Sequence, residues 1–278
     1  MLVLACSLDA FYTYLYTKVI DTSKFQFIKQ QQNKTFNYVF LGSSRVVNHI
    51  NPKIIDSITQ RESVNFGVMD AKPKDLYLLV QLLDFYAIQS DTLFIQSDYY
   101  YNSNETSNFL YVDLIPYMRE NKLITSYFKE EKDFYGLYYF PFYRYSKNNS
   151  KLGLREMIVS LNRKNIFEEN KGFIPLKGND GKWQRTLPKK IGSAAFYNDS
   201  IKNYATLNGK KAIFFTAPFR SDTKNMFFIT ELKNKFPVFW DFSKQISDPS
   251  LFKNGYHLNG EGANKFSMLV ANTIISNQ

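Results

Sequence analysis

The sequence predicts an α/β fold built on a parallel, doubly wound sheet, and three observations lead there. Short apolar runs at 37–41 (NYVFL), 63–68 (SVNFGV) and 92–96 (TLFIQ) have the length and residue types of buried strands. Segments with apolar residues at helical spacing separate them, so strand and helix alternate within about sixty residues. The same alternation returns near the C-terminus.

In chain order, 37–41 is the first strand and closes at Gly42. Residues 46–58 carry enough apolar spacing for a helix, with Asn51-Pro52 marking its start or its end. The second strand ends near Gly67. Residues 74–88 form a helix, with Leu76, Leu79, Val80, Leu83 and Ile88 on its buried side, and 92–96 is the third strand. From about 102 to 192 the rhythm breaks. This stretch is rich in Tyr and Phe and reads as a mostly helical and irregular insertion. Helix 198–208, strand 211–216, helix 223–235, strand 238–241 and helix 262–276 resume the pattern. The whole is a three-layer sandwich spanning 37–278.

Residues 1–36 stand apart. The uncharged apolar stretch 1–8 is far short of the roughly 20 residues that span a membrane, and no basic region precedes it as in a secretory signal. Three readings stay open: the end of a longer membrane anchor, a short docked helix, or a loose match to a lipoprotein site before Cys6. The polar stretch 21–37 reads as a connector.

Composition removes several chemistries. One cysteine excludes a disulfide within the chain, and one cysteine with two histidines (His49, His257) cannot assemble a Cys₄ or Cys₂His₂ zinc site. Neither metal nor cofactor is expected. The net charge of +10 suits an anionic partner, but the lysines are scattered and no nucleic-acid-binding signature is present, so nucleic acid is not an expected partner.

Two segments carry chemistry. Gly42-Ser43-Ser44-Arg45 follows the first strand, at the carboxyl edge where open α/β sheets bind ligands. A serine there is ordinarily a helix cap. Near the C-terminus, Asn254-Gly255-Tyr256-His257-Leu258-Asn259-Gly260-Glu261-Gly262 sets a histidine in a loop just before the last helix. Together the two segments resemble the SGNH (GDSL-type) hydrolase superfamily, and more closely its bacterial envelope branch with DltD and the alginate O-acetylation proteins. The resemblance covers 37–100 and 195–278. It implies that Ser44 is the nucleophile and His257 the base, with the backbone N–H groups of Ser44 and Gly67 forming an oxyanion hole.

This chain departs from the family pattern twice. Where the family has Asp three residues before the histidine, Asn254 stands here, with Asp248 or Asp241 as candidate substitutes. The Gly-x-Asn-Asp block after the third strand is replaced by Gln96-Ser97-Asp98, leaving Asn102 as a distant stand-in. Asp98 is expected to pair with Arg45 or to orient a catalytic group. His49 is expected on the surface or at a helix cap. The aromatics at 99–101 and 134–145 either pack the insertion or stack on sugar rings.

The resemblance implies an esterase or O-acyltransferase acting on a cell-envelope glycan or related acylated polymer, on the extracytoplasmic side. It also implies work beside a membrane-bound acyltransferase. A non-catalytic scaffold of the same fold, binding glycan or that membrane partner, is the alternative.

Overall fold

A computed structural model describes residues 1–181, 184–192 and 195–277. Residues 182–183, inside the expected insertion, lie outside the described residues. Among the described residues, β1 (Thr35–Leu41), β2 (Ser63–Asn65), β3 (Gln89–Gln96), β4 (Ala212–Thr216) and β5 (Phe239–Asp241) form one all-parallel sheet in the order β2-β1-β3-β4-β5. The chain steps from β1 to one side and then crosses back to the other. The carboxyl ends of β1 and β3 therefore flank a topological switch point.

The sheet is apolar on both faces, as a doubly covered parallel sheet must be. Tyr38, Phe40, Phe94, Ile213 and Phe215 point to one face, while Val39, Leu41, Leu93, Ile95 and Phe214 point to the other. The helices, in chain order, are α1 (Leu2–Tyr14), α2 (Lys24–Lys29), α3 (Ser44–Val47), α4 (Pro52–Thr59) and α5 (Pro73–Phe85). The insertion supplies α6 (Asn108–Leu114), α7 (Lys122–Phe128), α8 (Phe134–Tyr139), α9 (Tyr143–Lys147), α10 (Asn149–Leu152) and α11 (Leu154–Leu161). The chain closes with α12 (Phe196–Leu207), α13 (Phe227–Lys233) and α14 (Gly260–Ser276). Ile55 of α4 and Phe266, Val270 and Ile274 of α14 cover the first face. Leu79 and Leu83 of α5, Ile201 of α12 and Phe228 of α13 cover the second. The insertion shares that second core through Leu110, Leu114, Ile124, Phe128 and Leu137, so no separate core divides it from the sheet.

Three local differences from the sequence reading have physical causes. The single helix expected over 46–58 is two, because Pro52 has no N–H to continue a helix and instead starts α4 behind the Asn51 cap. The polar stretch 21–37 is not a plain connector. Ser23 and Gln26 form a capping box that starts α2, and Phe25, Phe27 and Ile28 enter the core. Its Lys24 is buried with Nζ donating to the carbonyls of Asn65 and Gly172, and burial pulls its pKa well below the usual lysine range. At the N-terminus, α1 docks through Asp9, whose carboxylate accepts from Arg144 at 2.9 Å and Arg119 at 3.0 Å. Among the described residues, no helix is long and apolar enough to cross a membrane.

Candidate functional site

The turn after β1 is held in a tight space. A Cβ at Gly42 would stand 2.3 Å from Val46 Cγ2 and 2.7 Å from Gln96, so only glycine fits. Ser43 caps α3, its Oγ accepting from the Arg45 N–H. Ser43 also donates to Gln96 Oε1 twice, from its N–H (2.8 Å) and its Oγ (2.9 Å). Ser44 is thereby the first helical residue, and its N–H has no acceptor within the helix.

Arg45 fastens this turn to the neighbouring strand ends. Its guanidinium is fully buried, with Nη1 donating to Asp98 Oδ2 at 2.6 Å and Nη2 to the carbonyls of Ala217 and Pro218 at 2.8 and 2.6 Å. Gln96 Nε2 donates to the same Asp98 oxygen. One guanidinium thus ties the ends of β1, β3 and β4 together, through an ion pair to Asp98 and hydrogen bonds to two carbonyls. Gln96 and Asp98, which occupy the place of the missing third block, brace the serine turn.

The other half of the site is the loop before α14. Phe252 and Leu258 pair as an antiparallel bridge, Lys253 N–H donates to the His257 carbonyl at 2.8 Å, and Asn259 caps α14. Within this hairpin, Asn254 Oδ1 accepts from the backbone N–H of Tyr256 (2.8 Å) and of His257 (3.0 Å). The same oxygen lies 3.3 Å from His257 Nδ1. Two backbone donors hold the amide with its oxygen toward the ring, so Nδ1 must carry the proton. The lone pair is then on Nε2, which lies 2.8 Å from Ser44 Oγ. Two residues 213 positions apart in the chain are thus in hydrogen-bond contact.

The electrostatics keep this histidine neutral. Burial pushes the His257 pKa down to about 4, and the guanidinium groups of Arg45 and Arg185 add to the effect. At neutral pH the ring can accept a proton. The amide of Asn254 offers no charge to stabilise the imidazolium that would form.

His49 is neither at the surface nor a cap. It is fully buried, and its Nε2 accepts the Leu258 N–H at 3.0 Å, edge-on to His257 with ring centroids 5.8 Å apart. Burial, with help from Arg45 and His257, lowers its pKa well below the ordinary value. The second histidine therefore anchors the loop that presents the first.

Other expected participants are engaged elsewhere. The Gly67 N–H donates to Asn65 Oδ1 at 3.0 Å and so is not open to a substrate oxygen in this arrangement. Glycine at 67 has a packing cause, since a Cβ there would stand 2.7 Å from Val47 N and 2.8 Å from Val46 Cβ. Asp248 caps a short 3₁₀ turn by accepting from Ser250 N–H, and Asp241 accepts from Ser243 N–H, so neither carboxylate orients His257. Asn102 bridges to Lys190 and Gly192. Of the insertion aromatics, Tyr145 is buried, whereas Tyr135, Tyr139 and Phe140 are exposed.

Arg185 has no signal in the sequence. It comes from the insertion, where Thr186 bridges to Lys224, and its guanidinium stacks 3.8 Å from the Tyr99 ring and 4.5 Å from the Tyr256 ring. Only the folded chain brings it beside His257. Among the described residues, no group of three or more His, Cys, Asp or Glu side chains gathers as a metal ion requires. A cleft of about 570 Å³ between the segment 16–23 and the insertion, lined by Tyr16, Asp113 and Arg163 among others, does not include the Ser44–His257 pair.

The switch-point serine, its histidine and the α/β sheet define the class as an α/β protein with a serine–histidine pair at the carboxyl edge. No protein-family model matches the chain, and no curated protein is detectably similar to it.

Proposed function

We propose that this protein is an SGNH-like serine esterase or O-acyltransferase acting on a cell-envelope glycan or related acylated polymer. The observation that carries the reading is the 2.8 Å contact between Ser44 Oγ and His257 Nε2, with the Nδ1 proton held on Asn254. In the reaction, Ser44 Oγ attacks the ester carbonyl as its proton passes to His257 Nε2. The oxyanion takes the Ser44 N–H, which has no helical acceptor. As the carbon–oxygen bond to the alcohol breaks, His257 returns the proton to the leaving oxygen, and an acyl-Ser44 ester remains. Water then completes hydrolysis, or an acceptor hydroxyl completes transfer, with His257 again taking and returning the proton. A membrane-bound acyltransferase supplying the acyl group, on the extracytoplasmic side, belongs to the same proposal.

A second reading is favoured by the amide at 254 and the engaged Gly67 N–H: a scaffold of the same fold that binds glycan or the membrane partner without turnover. Labelling with a fluorophosphonate and hydrolysis of p-nitrophenyl acetate separate the two. The enzyme reading expects covalent label on Ser44, and His257→Ala lowering kcat by ~10²–10⁴-fold. Unlabelled Ser44, together with equal rates for wild type and Ser44→Ala, supports the scaffold.

A further inference from the structure

We infer that Arg185, clamped between Tyr99 and Tyr256, is a subsite for a carboxylate on the molecule that docks at Ser44 and His257. The identity of that molecule as an ester substrate rests on the function proposed above; the subsite itself does not.

The other arginines drawn into the interior have their counter-charges in the fold. Arg45 pairs with Asp98, Arg144 with Asp9 and Arg220 with Asp222. The Nε of Arg45 is buried without a partner, but both Nη groups of Arg45 are paired. Arg185 is half-buried, yet among the described residues its guanidinium makes no hydrogen bond or ion pair at any nitrogen, the buried Nε included. A guanidinium held this way has lost part of its water without gaining an acceptor, which a structural arginine rarely tolerates. Tyr99 and Tyr256 occupy positions over the guanidinium, at 3.8 and 4.5 Å, and so fix its orientation before any ligand arrives. The hydrogen-bonding edge of a guanidinium fits a planar carboxylate bidentately.

Placement ties the group to the site. Tyr256 is the residue before His257, with ring centroids 6.1 Å apart, and the Arg185 charge is felt by the His257 ring. Tyr99 follows Asp98, the partner of Arg45. A carboxylate is favoured over a phosphate dianion because a single guanidinium is available. The other guanidinium near His257, on Arg45, is spent on Asp98 and two backbone carbonyls. An acidic sugar, with its carboxylate a few ångströms from an acylated hydroxyl, has the required chemistry.

The test is equilibrium binding to the full-length Ser44→Ala protein of two fluorescent probes that differ in one group, 4-methylumbelliferyl glucuronide and 4-methylumbelliferyl glucoside. The expected result is at least about tenfold tighter binding of the glucuronide. That preference should shrink as NaCl rises, vanish in Arg185→Gln and survive in part in Arg185→Lys, which keeps the charge without the fork. Equal affinity for the two probes, binding of neither, or a preference that persists in Arg185→Gln overturns the inference. If Arg185→Gln unfolds, the salt dependence and Arg185→Lys still decide. Fluorophosphonate labelling of the wild-type protein reads the dyad separately. A protein that discriminates the probes but takes no label loses the esterase reading and keeps the subsite. One that takes label but does not discriminate does the reverse.

Discussion

Replacing Asn254 by Asp tests the electrostatic account of the site at its centre. The substitution keeps the oxygen that accepts from the Tyr256 and His257 amides and places a negative charge where the amide oxygen lies 3.3 Å from His257 Nδ1. At that separation the bare Coulomb attraction to an imidazolium is about 5 kcal/mol for an effective dielectric of 20. Asn254 is half-buried, so solvent screens part of this, and a shift of about 1–3 pKa units, or ~1.4–4 kcal/mol, is the realistic range. The His257 pKa, held to about 4 by burial and two guanidinium groups, should rise in the variant. A gain of that size carries it to about 5–7. With two histidines in the chain, the ring resonances can be titrated by NMR in both proteins without any assumption about activity.

If the dyad is catalytic, the acid limb of kcat/KM for p-nitrophenyl acetate moves up by the same amount. The rate on the plateau then rises by about 10–10³-fold, because the imidazolium formed in the transition state gains the same stabilisation. That gain is smaller than the ~10⁴ lost when the serine-protease aspartate is replaced by Asn, because there the amide also selects the wrong tautomer. Here two backbone donors already set the right one. An unchanged His257 titration in Asn254→Asp, or a wild-type ring that titrates above pH 6, would refute the reasoning.

Three further expectations follow from the same contacts. Asp98→Ala leaves Arg45 charged, buried and without its carboxylate, which should cost ~3–5 kcal/mol in the urea-unfolding free energy; a loss below 1 kcal/mol would mean the pair does not hold the strand ends together. His49→Leu removes the acceptor of the Leu258 N–H and should cost ~1–3 kcal/mol while leaving His257 loosely held. Full stability with unchanged labelling of Ser44 would show that the loop stands without it. For pH, His257 is depressed in the folded state, so the unfolded chain binds its proton first as pH falls. Its contribution is complete above about pH 6.5 and is lost toward about pH 4, so wild type should lose up to ~3 kcal/mol more than His257→Gln over that window. Asp75 and Asp113, raised to about 6 and about 7 by burial, act in the opposite direction in both proteins and cancel in the comparison. Parallel stability curves for the two proteins would rule out the buried neutral ring.

The sheet was legible in the sequence because both of its faces are covered: fully buried parallel strands leave short apolar runs bounded by small residues, and the helices between them show helical spacing. The serine turn and the histidine loop were legible for a related reason. Each is a short local structure, Gly42-Ser43-Ser44 at a helix start and Asn254 to Gly262 at a capped turn, and local structure is written in adjacent residues. What the sequence by itself could not determine was who meets whom across the chain. Gly67 faces Ser44 in the family pattern, yet the Asn65 side chain takes its N–H. His49 reads as a surface residue because burial is decided by α14 and its loop, more than 200 residues away. Asp248 looked available until the turn that follows it claimed its oxygen. Arg185 carries no motif, and only the return of the insertion over the carboxyl edge of the sheet sets it between two tyrosines beside His257. Backbone pattern and capping are short-range and survive in sequence. Charge pairing, proton position and burial depend on distances that tertiary structure alone creates.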